Sequence, residues 1–158
     1  MLWQSNSGSL SGKAEGFPVG LKIKRVDPWA ASIKDKPGTL AAKLKARAGA
    51  GANLEFVIAG RTPEKRGAGV VFVTPINGPK RIRAVKRPVS KKTGSLHTVR
   101  IEGADRRGSG AKIAQALADT GLNLRGLSAA AINEKFAARI TLDISVDAGK
   151  AVRVLQKL

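Results

Sequence analysis

The chain has 158 residues, with 29 Lys+Arg against 11 Asp+Glu for a formal net charge of +18, no Cys, no Tyr, one His and one Met. Without cysteine, disulfide scaffolds and Cys-ligated zinc or iron–sulfur centres are excluded, and a lone His excludes a His-cluster metal site. The hydrophobic fraction of 42% is enough for a core, no apolar run nears the ~20 residues of a membrane span, and Met1–Gly12 has no secretory pattern. A cytoplasmic protein of one domain or two small ones is expected.

Residues 1–24 open with the Ser/Gly-rich stretch Gln4–Gly12 and read as an N-terminal arm. Trp29, Ala31 and Ile33 then alternate with Ala30, Ser32 and Lys34, the pattern of a half-buried strand. Pro37-Gly38 breaks it, and Thr39 stands as the expected N-cap of a helix carrying Leu40, Leu44 and Ala48. Gly51 ends that helix at its C′ position. Leu54, Phe56 and Ile58 alternate as a second strand, the loop Gly60–Gly69 reverses the chain, and Val70–Thr74 gives a third. Asn77–Arg87 has the spacing of a basic helix with Ile82 and Val85 inward.

From His97 the order begins again. His97, Val99 and Ile101 share a strand face, and Gly108-Ser109 opens a helix with Ile113 and Leu117. Gly121 closes that helix, and Leu124–Ile132 gives a strand. Ile140, Leu142 and Ile144 mark the third strand, and Val152 and Leu155 a closing helix. Laid over one another at an offset of 70, Asp35–Leu54 and Asp105–Leu124 agree at Asp35/Asp105, Gly38/Gly108, Gly51/Gly121, Asn53/Asn123, Leu54/Leu124 and three alanine pairs. The ordered frame D-(K/R)-x-G-(T/S)…G-x-N-L marks an internal duplication. The expected organisation is an arm at 1–24, a first unit at 25–88, a basic linker at 89–94 and a second unit at 95–158. Each unit reads β-α-β-β-α with little signal for a fourth strand, an α+β arrangement with helices on one face of a mostly antiparallel sheet.

These frames resemble ACT domains, small ferredoxin-like (βαββαβ) modules that bind amino acids. The resemblance spans roughly residues 25–158 as a tandem pair of ACT units. It implies a stand-alone regulatory or sensory protein without enzymatic activity or cofactor. It also implies a ligand where ACT units pair, which extends to pairing as a homodimer. The turn before each helix is a suitable anion site on physical grounds, because a helix N-terminus carries about half a positive charge. Gly38 and Gly108 permit close backbone approach, and Asp35 and Asp105 offer acceptors to an ammonium group. Asn53 and Asn123 both donate and accept. The candidate ligand-binding set is therefore Asp35, Lys36, Pro37, Gly38, Thr39, Asn53 and Leu54 in the first copy. In the second it is Asp105, Arg106, Arg107, Gly108, Ser109, Asn123 and Leu124. The competing use of Asp and Asn is to cap turns. The second copy lacks the proline, with Arg107 at the position of Pro37.

The charge offers an alternative. Lys80–Gly94 holds seven cations and no acid, so Lys80, Arg81, Arg83, Lys86, Arg87, Lys91 and Lys92 are candidate contacts for nucleic acid or another polyanion. An RNA-recognition module shares the strand order, but Arg66–Val73 puts Ala68, Val70 and Val73 where stacking aromatics would stand. No nucleophile–base pair surrounds His97, which reads as a strand residue.

Overall fold

The computed structural model describes residues 20–62, 65–74 and 94–158, and the backbone of 90–92. In chain order the elements are β1 (Lys22–Arg25), β2 (Trp29–Lys34), α1 (Thr39–Gly49), β3 (Phe56–Arg61), β4 (Ala68–Thr74) and β5 (Ser90–Lys92). They are followed by β6 (His97–Ala104), α2 (Ser109–Ala118), β7 (Gly126–Ile132), β8 (Lys135–Leu142) and α3 (Ser145–Leu155). Trp3, the stretch Gln4–Gly12 and the expected helix at Asn77–Arg87 lie outside the described residues.

The elements sort into two units. Val26–Ser95 forms one, here the N-unit; β1 joins Leu96–Leu158 in the other, the C-unit. The N-unit sheet runs β3-β4-β2-β5 and the C-unit sheet β1-β6-β8-β7, every neighbour antiparallel. The α+β, ferredoxin-like class expected from the sequence is the one observed. The fourth strand comes from different places in the two units. In the N-unit it is β5, inside the segment read as a linker, which aligns Ser90 with Ala31 and Lys92 with Trp29. In the C-unit it is β1, which spans the end of the segment read as an arm and the first residue of the expected first unit, and Ile23 stands opposite Ile101. Both strands are too short to announce themselves by periodicity. Pairing partners far along the chain make them strands.

Among the described residues the C-unit has the larger core. Val99 and Ile101 of β6 and Ala138, Ile140 and Leu142 of β8 point to one face. There they meet Ile113 and Leu117 of α2 and Ala148, Ala151 and Leu155 of α3. The strand residues sit at alternate positions and the helix residues at i, i+4 and i+7 spacings, so both periods converge on one apolar layer. The N-unit buries Trp29, Ala31, Val71 and Val73, with Ile33, Leu40 and Leu54 packed around them.

Helix α1 departs from its expected stripe. Ala48 is exposed, and the buried position is Arg47, which aligns with Leu117 of the C-unit. The Arg47 side chain donates from Nη1 to the Lys43 carbonyl at 2.9 Å, and desolvation pulls its pKa below the usual guanidinium value. Ile144 also departs: it is exposed, outside β8, and caps α3 in extended backbone rather than extending the strand.

Two stability outcomes are expected. Leu117→Ala should cost about 2–5 kcal/mol, since a fully buried leucine leaves a cavity between α2 and the sheet. Ile23→Ala should cost about 1 kcal/mol in denaturant titration, because Ile23 packs on the C-unit core. An unchanged midpoint for Ile23→Ala would mean that Lys22–Arg25 is a free arm.

Candidate functional site

The duplicated frame folds into the same turn twice. After β2 the Asp35 amide donates to the Gly67 carbonyl at 3.0 Å, and after β6 the Asp105 amide donates to the Glu134 carbonyl at 2.7 Å. Three residues on, Gly38 (φ 83°) and Gly108 (φ 81°) hold left-handed backbone. A β-carbon at either glycine would meet nothing within 4 Å, so glycine is there for its dihedral. The turn is then locked by the next residue. Thr39 Oγ1 donates to the carbonyls of Lys34 (2.7 Å) and Lys36 (2.9 Å), and Ser109 Oγ donates to that of Arg106 (2.8 Å).

This corrects the expected N-cap. Gly38 and Gly108 occupy the cap positions, and neither helix receives a side-chain cap hydrogen bond. Thr39 and Ser109 are the first helical residues, and their hydroxyls point back into the turn. The side chains of Asp35 and Asp105 therefore do not cap these helices; the Thr39 and Ser109 amides donate to the Lys36 (3.3 Å) and Arg106 (3.1 Å) carbonyls, and the next two amides of each first turn have no acceptor within the helix. Further along, the Gly51 and Gly121 amides close their helices on Ala48 and Ala118, both at 2.8 Å.

The surroundings of the two aspartates differ. Asp35 Oδ2 pairs with Arg61 Nε at 2.9 Å, both side chains being well exposed. Arg61 ends β3 beside the turn because β3 runs back along the sheet. The sequence frame gave no signal for it, since the contact depends on the hairpin. Lys36, Pro37, Arg106 and Arg107 are exposed, while Asp105 is half-buried. Asn53 and Asn123 are exposed and stand beyond the far ends of α1 and α2. A helix of eleven residues such as α1 is about 16 Å long, so within one unit Asn53 does not join Asp35 around a single small molecule. Leu54 and Leu124 turn inward and pack on the two cores.

Lys80, Arg81, Arg83, Lys86 and Arg87 lie outside the described residues; Lys91 and Lys92 belong to β5. His97 begins β6, and its Nδ1 lies 2.9 Å from Arg25 Nη2, which also donates to Ser145 Oγ at 2.8 Å. Among the described residues no helix is long and apolar enough to cross a membrane.

No family model and no curated protein sequence matches the chain. Solved structures do. A protein from Bacteroides thetaiotaomicron superposes over 85% of this chain and 89% of its own, at 18% identity and TM-score 0.69. The ligand-free regulatory subunit of aspartate kinase from Thermus thermophilus matches 87% of this chain and 95% of its own, at 20% identity and TM-score 0.59. Aspartate kinase from Clostridium acetobutylicum, described as an allosteric enzyme, matches over 85% of this chain but 33% of its own, at 18% identity and TM-score 0.54. The chain thus shares the fold of that aspartate kinase regulatory subunit, with two ferredoxin-like α+β units.

Gly38→Ala and Gly108→Ala should each destabilise by about 1–2 kcal/mol in denaturant titration, the cost of left-handed backbone at a residue with a β-carbon. A neutral result would mean that the turn relaxes and is not held.

Proposed function

We propose that this chain is a regulatory protein, not an enzyme, that binds a small carboxylate-bearing ligand at its strand-to-helix turns, most simply a free amino acid. The observation that carries the reading is the pair of helix N-termini, each set behind a left-handed glycine and each without a side-chain cap. A carboxylate placed there accepts from first-turn N–H groups and meets the positive end of the helix dipole. The ammonium group of the same molecule would go to Asp35 or Asp105. In the N-unit the Asp35–Arg61 pair is exposed and so worth under ~1 kcal/mol, and a ligand can exchange with it at little cost. The likeness to regulatory subunits of aspartate kinase supports a regulatory role over a catalytic one.

Thermal melting with and without each of the twenty amino acids tests this. Ligand at a hundredfold excess over Kd should raise stability by about 2.7 kcal/mol. Asp35→Ala should abolish the N-unit's share of that rise while changing the unliganded protein by less than ~1 kcal/mol. If no amino acid at millimolar concentration shifts the transition, the reading fails.

A further inference from the structure

The outer face of the N-unit sheet, turned away from α1, is apolar. Helix α1 lies against the opposite face, where Leu40 packs with Trp29, Ala31, Val71 and Val73. Alternate residues of β2, β3 and β4 therefore point outward. Register sets Ile58, Phe72 and Ala30 side by side in one row, and Gly60, Val70 and Ser32 in the next. Ile58 is 47% exposed, Ser32 is exposed, and Phe56, Val70 and Phe72 are half-buried. Thr74, beyond Phe72 on this face, is buried, so the open part runs from Ile58 and Phe72 toward Gly60 and Ser32.

The fold does not require this chemistry. At the corresponding register positions the C-unit has Ser128 for Ile58, Arg139 for Phe72 and Arg100 for Ala30. A contiguous apolar patch that the fold does not need marks an interaction surface. Charge then narrows what covers it. Among the described side chains the face carries one charge, Lys34 at the end of β2. A polyanion or an anionic lipid surface would meet that single cation, and a cationic partner would meet no acid. A flat apolar surface is what fits, and the chain supplies one in a second copy of this face.

We propose that two copies of this chain associate through the outer faces of their N-unit sheets, packed face to face about a two-fold axis. Twisted sheets pack in this way about 10 Å apart, their side chains interdigitating. A two-fold contact uses the same patch on both copies, which asks of the face only that it suit itself. The net charge of +18 makes two copies repel each other, and this face is where like charge is thinnest. Strands β2, β3 and β4 are about 20 Å long and about 4.8 Å apart, a patch of about 300 Å² in plan. A standard interface takes about 800 Å² from each partner, so this dimer is of the weak, concentration-dependent kind. The proposal does not depend on ligand binding at the strand-to-helix turns.

The test is sedimentation equilibrium of the full chain from micromolar to millimolar concentration, at low and at high salt. Association should strengthen as salt rises, because salt screens the repulsion between copies and leaves the apolar contact intact. Ser32→Lys puts a charge in the middle of the face, away from either sheet edge, and should weaken association by about tenfold or more. Ile58→Lys, on the edge strand of the same face, should do likewise. A control of the same chemistry in the C-unit, Ile132→Lys at a residue 71% exposed, should leave association within about threefold. Circular dichroism checks that each variant is folded, and either of the first two suffices if the other is not. Three results overturn the proposal. They are a monomer at millimolar concentration in high salt, a folded Ser32→Lys or Ile58→Lys that associates like the parent, or an equal loss in Ile132→Lys.

Discussion

The C-unit depends on one short ladder, the pairing of β1 with β6. Strand β6 carries Val99 and Ile101, both fully buried, and its second edge would otherwise be unpaired. An uncovered edge next to a core leaves backbone donors and acceptors without partners and offers a template for other strands. Four residues from far upstream close it, and Ile23 adds its side chain to the apolar layer. The chain between them, Val26–Ser95, is therefore an excursion that must leave and return at fixed points. Arg25 marks the departure and His97 the return, and their side chains meet at 2.9 Å.

The sequence showed the fold wherever a local period carried it. The alternation at Trp29–Ile33 and Val99–Ile101 and the helical spacing of Ile113 and Leu117 correspond to β2, β6 and α2. What it did not show are features decided at a distance. Lys22–Arg25 looks like a solvated basic stretch because only Ile23 in it is apolar. Arg47 reads as a surface residue by type, yet it is buried at the position that Leu117 holds in the other copy. Ile144 completes an apparent alternation but falls after the strand has ended, at the start of α3.

The candidate site divides the same way. The recurrence of glycine at positions 38 and 108 was readable, although the sequence suggested close approach to a ligand, whereas the structure shows left-handed backbone with open space where a β-carbon would stand. The role of Thr39 was not readable, since a hydroxyl at a helix start serves equally as cap or as first residue. Its bonds to Lys34 and Lys36 decide for the latter. Arg61 was invisible, being brought to Asp35 by a hairpin whose loop is longer than the two-residue turn at Asn133-Glu134. Asn53 and Asn123 recur for a reason the turn does not supply, as each stands past the other end of its helix. The two copies thus share the turn geometry while their charged neighbours differ.

Neither helix N-terminus receives a side-chain cap hydrogen bond, and the proposed ligand would take that place. The most direct measurement follows backbone amide resonances of the nitrogen-15 labelled protein during titration with the amino acid that stabilises it best. Saturable shifts are expected to concentrate in Gly38–Ala41 or Gly108–Ala111, the first turns of α1 and α2. Shifts confined to other segments, with these amides unmoved at saturation, would contradict the proposed site.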